Sequence, residues 1–108
     1  MTAALPGNDV HSLCEKGYGA LSQNDHVGTE AAFSQLIDTY PKDPLAGNAQ
    51  YWIGESYYRR NQYKNAADAF LKGYKKYKSG DKAPETLLKL GMSLAAVGQK
   101  DAACSTFG

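Results

Sequence analysis

Cysteine is scarce in this chain of 108 residues, with only Cys14 and Cys104 near opposite ends. Two thiols are too few for a disulfide-built scaffold, and their spacing fits no zinc knuckle. A surplus of one charge is also missing. Twelve Lys and Arg face eleven Asp and Glu, for a formal net charge of +1, so bulk electrostatics favours neither nucleic acid nor an anionic membrane and suggests a protein partner or none. No apolar run approaches the roughly 18–20 residues that span a bilayer, so direct membrane insertion is not expected. The first ten residues lack the charged and apolar segments of a signal peptide. Histidine is limited to His11 and His26. His11 and Cys14 lie about one helical turn apart, yet a structural zinc site needs four ligands, and no metal is expected. Neither cysteine sits in a His-containing catalytic signature, and no phosphate loop or nucleophile elbow occurs. The expectation is therefore no catalytic residue, no cofactor and no enzyme.

Hydrophobic residues make up 43% of the chain, enough for a modest core in one domain. They concentrate around Tyr51-Trp52-Ile53-Gly54-Glu55-Ser56-Tyr57-Tyr58, then Asn61-Gln62-Tyr63, then Ala66-Ala67-Asp68-Ala69-Phe70. Aromatics and Ile recur at helical spacing before the polar turn. Ala66, Ala69, Phe70 and Tyr74 do so after it. One such helical pair cannot bury its apolar face alone, which predicts a second copy. Shifting the sequence by 37 positions supplies it, placing Gly17 on Gly54 and Gly54 on Gly91. The same shift puts Asn24 on Asn61 and Gly98, Phe33 on Phe70 and Phe107, Tyr40 on Tyr77, and Ala46 on Ala83. That period falls in the range of stacked supersecondary repeats, so the expected fold is all-α, an α-solenoid of about three helical hairpins.

The expected organisation is a flexible N-terminal segment over 1–8 and a repeat domain over 9–108, with units at about 9–43, 44–80 and 81–108. Helices are predicted from about Asp9 to Gln23 and His26 to Tyr40. Pro41 stops the second of these, and Asp43 and Pro44 cap and open the next. Lys72, Lys75, Lys76 and Lys78 read as a solvated helix end that offsets the dipole, followed by a stop at Ser79-Gly80. Unit three opens near Asp81 with an apolar first helix. A turn near Gly98 then leads into a truncated last helix from near Lys100. Cys14 and Cys104 fall on the first and last units, so an intrachain disulfide would have to cross the stack, beyond the roughly 7 Å reach between Cα atoms.

The series Ile53-Gly54, Tyr57, Ala66, Phe70 resembles the tetratricopeptide repeat, and Leu90-Gly91, Leu94, Ala103, Phe107 repeats it. Unit one departs from the pattern at Lys16 and Thr29, although Phe33 fits. The run from Tyr40 through Tyr58, with Ala67-Asp68-Ala69-Phe70, Lys82-Ala83-Pro84-Glu85 and Leu87 through Leu94, is similar to the C-terminal repeat domains of the CpoB (YbgF) family of periplasmic Tol-Pal system proteins. That resemblance implies a periplasmic, noncatalytic protein that helps coordinate outer-membrane constriction with peptidoglycan synthesis in cell division. It also implies a Tol-Pal component or a peptidoglycan synthesis factor as partner.

In tetratricopeptide stacks one face of each first helix lines a groove. Here the partner-binding residues are expected to be Asn48, Tyr51, Glu55, Tyr58 and Arg59 from unit two, with Glu85, Leu88 and Met92 from unit three. Tyr18, Leu21 and Ser22 are their counterparts in unit one, and Tyr57, Phe70, Tyr74 and Phe33 are assigned to the core. Such a groove suits an extended or helical peptide. Only Asn48 and Arg59 approximate the carboxylate clamp of the repeat family, which argues against recognition of a free C-terminus. The alternative reading is a self-associating structural module, a homo-oligomer whose groove or open end is filled by another copy.

Overall fold

The computed structural model describes residues 7–107, with side chains through Ala102. Most of the segment expected to be flexible therefore lies outside the described residues, as do the side chains of Ala103, Cys104 and Phe107. Five helices follow in order among the described residues: α1 Val10–Ser22, α2 His26–Thr39, α3 Pro44–Arg59, α4 Tyr63–Lys76 and α5 Ala83–Phe107. Each packs on the next in sequence, and the odd-numbered helices also adjoin one another, giving an all-α solenoid of helical hairpins.

Local chemistry sets the helix ends. Asp9, Asp25 and Asp43 precede α1, α2 and α3, and each carboxylate accepts from a free backbone N–H of the first turn, on Ser12, Gly28 and Leu45 respectively, at 2.8–2.9 Å. Pro44 then occupies a first-turn position where no N–H is needed. The turns inside the first two hairpins carry Asn24 and Asn61 at φ 58° and 61°. Asparagine is among the few residues that take this left-handed conformation cheaply. At the end of each of the first two returning helices a tyrosine hydroxyl reaches back to the segment just before its own hairpin: Tyr40 Oη donates to the Asn8 carbonyl at 3.2 Å and Tyr77 Oη to that of Pro41 at 3.1 Å.

Packing inside each hairpin rests on a phenylalanine laid over a glycine. Phe33 and Phe70 are completely buried. A Cβ built on Gly17 would lie 2.5 Å from the Phe33 ring, and one on Gly54 would lie 2.6 Å from that of Phe70. Only glycine admits so close an approach. Leu13, Leu36, Ala46, Ala49 and Ile53 continue the Phe33 core across the first two units. Polar ties join the same elements. Gln50 Nε2 donates to the Ala69 carbonyl at 3.1 Å, and His26 Nδ1 shares a 3.0 Å hydrogen bond with the buried Ser56 hydroxyl. Arg60 pairs with Glu30 across α2 and α3, its guanidinium 4.7 Å from the centre of the Tyr57 ring.

The third unit differs from expectation. α5 runs unbroken for 25 residues, through Gly98 and the turn expected there. A turn there would break the helix ladder. A continued helix keeps every i→i−4 bond. At 1.5 Å per residue α5 is roughly 37 Å long against roughly 21 Å for α4. The radius of gyration is correspondingly 15.1 Å, where about 13 Å fits a globule of this length.

Candidate functional site

The face shared by α1, α3 and α5 is where the expected binding residues converge. Glu55, on α3, is its charged centre. Arg59 Nε lies 3.3 Å from Glu55 Oε2 one turn along the same helix, and Lys89 Nζ of α5 lies 3.0 Å from Oε1. That Oε1 is shielded from solvent and makes no aligned hydrogen bond, so its attraction to Lys89 is ionic rather than directional. Lys89 Nζ also sits 4.8 Å from the centre of the Tyr58 ring. A second cation, Lys82, stands 5.3 and 5.4 Å from the Tyr51 and Trp52 rings and 3.4 Å from Glu85 Oε2. Three cations thus surround two carboxylates over aromatic rings.

The rings form a continuous strip. Tyr18 of α1 meets Trp52 edge-on at 5.2 Å, Trp52 meets Tyr51 at 5.0 Å, and Tyr51 reaches Phe70 at 5.6 Å. Tyr51 is only 7% exposed, so it forms part of the wall and does not stand free as an anchor. Burial first, then the nearby Glu55 and Glu85 carboxylates, push its phenol above the ordinary value and keep it protonated. Leu88 is open, at 63% exposure, and Met92 is exposed beside it on α5. Asn48 is half-buried and Arg59 exposed. Of the unit-one counterparts, Tyr18 and Ser22 are exposed whereas Leu21 is buried. Phe33 and Phe70 occupy the expected core positions, with Tyr57 and Tyr74 half-buried.

Sequence reasoning missed Trp52, Lys82 and Lys89. A signal was available. Lys82 and Lys89 are seven residues apart, two helical turns, with Glu85 between them on the same face, and the 37-residue shift sets Lys89 on Trp52. The expected α5 face, Glu85, Leu88 and Met92, was centred one position away from the lysines that actually bridge to α3.

A tetratricopeptide repeat profile matches residues 48–79 and 85–108, more than half of the chain. The chain belongs to the tetratricopeptide repeat family. Such repeats generally serve protein–protein interaction, through extended surfaces built by stacked hairpins. A search of curated proteins found no match. In this tetratricopeptide protein no helix among the described residues is long and apolar enough to cross a membrane. Among those residues no three His, Cys, Asp or Glu side chains gather as a metal site would require.

Cys14 lies apart from the α1–α3–α5 face, half-buried against the first core cluster and, among the described residues, unpaired. Burial, then the neighbouring Glu15 carboxylate, raises its thiol pKa above the ordinary value, which lowers the thiolate fraction at any pH below it. Alkylation of Cys14 by iodoacetamide in the native Cys104→Ser chain at pH 7.5 is expected to be several-fold slower than in the same chain unfolded in urea. Equal rates would show that the fold does not shield this thiol.

Proposed function

We propose that the chain is a noncatalytic peptide-binding module of the bacterial cell envelope that works with the Tol-Pal machinery during division. Its place would be the periplasm, and its partner a Tol-Pal component or a peptidoglycan synthesis factor. The observation that carries peptide binding is the surplus of cations on the α1–α3–α5 face. Lys82, Lys89 and Arg59 outnumber Glu55 and Glu85, beside exposed Leu88 and Met92. A segment offering one carboxylate and an apolar side chain a turn away complements that pattern. The identity of the partner is supported by the likeness of Tyr40–Tyr58 and Leu87–Leu94 to the CpoB (YbgF) repeat domains.

Calorimetric titration of the chain with purified Tol-Pal components tests both parts. Tyr51 is a poor probe because its burial ties it to folding. Tyr58→Ala combined with Leu88→Ala is expected to weaken binding at least tenfold with unchanged circular dichroism. Unchanged affinity would remove the face from consideration, and no binding by the parent chain would remove the Tol-Pal partner.

A further inference from the structure

α5 leaves open a face that the first two units bury. The 37-residue register relates Leu13, Gln50 and Leu87, and likewise Gly17, Gly54 and Gly91. Leu13 and Gln50 are 1% and 6% exposed, and Gln50 bonds the returning helix of its own hairpin, whereas Leu87 is 50% exposed. Gly17 and Gly54 are buried under phenylalanine rings. Gly91 is exposed, and no atom of the described residues lies within 4 Å of where its Cβ would stand. Leu94 is 57% exposed, and Gly98 is as open as Gly91. At 3.6 residues per turn Leu87, Gly91, Leu94 and Gly98 fall within about 60° of one another around α5, in one seam spaced by four, three and four residues. Two exposed leucines thus alternate with two glycines that leave room beside them.

We propose that a second copy of this chain covers this seam, the two α5 helices pairing antiparallel about a two-fold axis level with the Met92–Ser93 peptide. The sequence selects that occupant because the seam is complementary to itself when reversed. About that centre Leu87 falls level with Gly98 of the other copy and Gly91 with Leu94, so each of the four layers joins a leucine to a glycine. A leucine then fills the space over a glycine, as Phe33 and Phe70 do within the chain. A two-fold pair satisfies both copies at once. Parallel pairing would instead set leucine on leucine and glycine on glycine, leaving gaps at the glycines. Charge agrees with the antiparallel register. Asp101 of each copy comes level with Pro84 of the other, at the end of α5 to which α4 delivers Lys75, Lys76 and Lys78. None of those lysines pairs with a carboxylate among the described residues. The second α5 takes over α5 the antiparallel place that α4 takes over α3. A seam of roughly 16 Å from Leu87 to Gly98 is short, which fits a reversible pair. Leu88 and Met92 lie round the helix toward Glu85, outside the seam, so the pairing does not depend on the function proposed for the α1–α3–α5 face.

Sedimentation equilibrium of the 108-residue chain under reducing conditions is the first test, with circular dichroism to confirm folding. A reversible dimer is expected. Leu94→Glu changes an exposed site, so the chain should keep its helicity while associating at least tenfold more weakly. Val27→Glu, exposed on α2, should associate like the parent. Register is tested by disulfides in a Cys14→Ser, Cys104→Ser chain. An equimolar mixture of Gly91→Cys and Leu94→Cys chains, oxidised together, should give the mixed disulfide well above the half that random pairing yields. A monomer at every concentration would leave the seam to a helix of another protein and overturn the proposal. So would a dimer that Leu94→Glu does not weaken, or no excess of the mixed disulfide.

Discussion

Phe70→Ala is expected to remove about 3–5 kcal/mol of folding free energy, the range for deleting a fully buried aromatic ring. Phe70 is completely inaccessible, lies on Gly54 and abuts the Tyr51 ring. Little can collapse into the space it leaves, because Gly54 has no side chain and Ala66 and Ala67 are short. A chain of this size has a total stability on the order of 5–15 kcal/mol, so one ring accounts for a large share. The loss also spreads. α3 and α4 form the middle hairpin, and in a stacked array a weakened central unit loosens both neighbours. In urea denaturation followed by circular dichroism the midpoint should fall by roughly 2 M. The control is Leu71→Ala, next in sequence but exposed, which should cost less than about 1 kcal/mol. Similar losses at both positions would mean that the Phe70–Gly54 contact is not the pin of the hairpin.

The fold was legible in the sequence where packing repeats. Gly17 with Phe33 and Gly54 with Phe70 recur at one spacing because a close helix approach demands the same two residue types each time. The caps were legible for the same reason, since Asp43-Pro44 has a narrow set of uses. The continuity of α5 was not. Register predicts a turn at Gly98, but whether the chain turns depends on how much the returning segment would bury, a tertiary quantity that no local pattern carries. The α1–α3–α5 face was read in part. Helical spacing puts Tyr51, Glu55 and Tyr58 on one side of α3. It cannot say that Lys89 of α5 and Lys82 just before it cross over to cover them, because that depends on the rotation of one helix against another. Tyr51 shows the consequence. Its position on the face was foreseen, and its burial under Trp52 and Lys82 was not.

The three register-equivalent glycines supply the second large effect, in which the same substitution changes sign along the chain. At Gly54 a methyl group would meet Phe70 ring atoms at 2.6–2.8 Å, well inside van der Waals contact, and the buried ring has no free direction in which to move. Overpacking of this kind costs about 1–3 kcal/mol, occasionally more. Against it stands a gain of about 1 kcal/mol from replacing glycine with alanine inside a helix. With the clash this short the repulsive term wins, and Gly54→Ala is expected to destabilise by up to about 2 kcal/mol net. Gly17→Ala, against Phe33 at 2.5 Å, should follow it. At Gly91 no atom of the described residues lies within 4 Å of a built Cβ, so only the propensity gain operates, and Gly91→Ala should raise stability by up to about 1 kcal/mol. The measurement is urea unfolding of the three variants at one and the same protein concentration. Shifts of one sign in all three would show that backbone propensity alone governs these positions. Opposite signs would mean that the first two sockets are filled within the chain and the third is not.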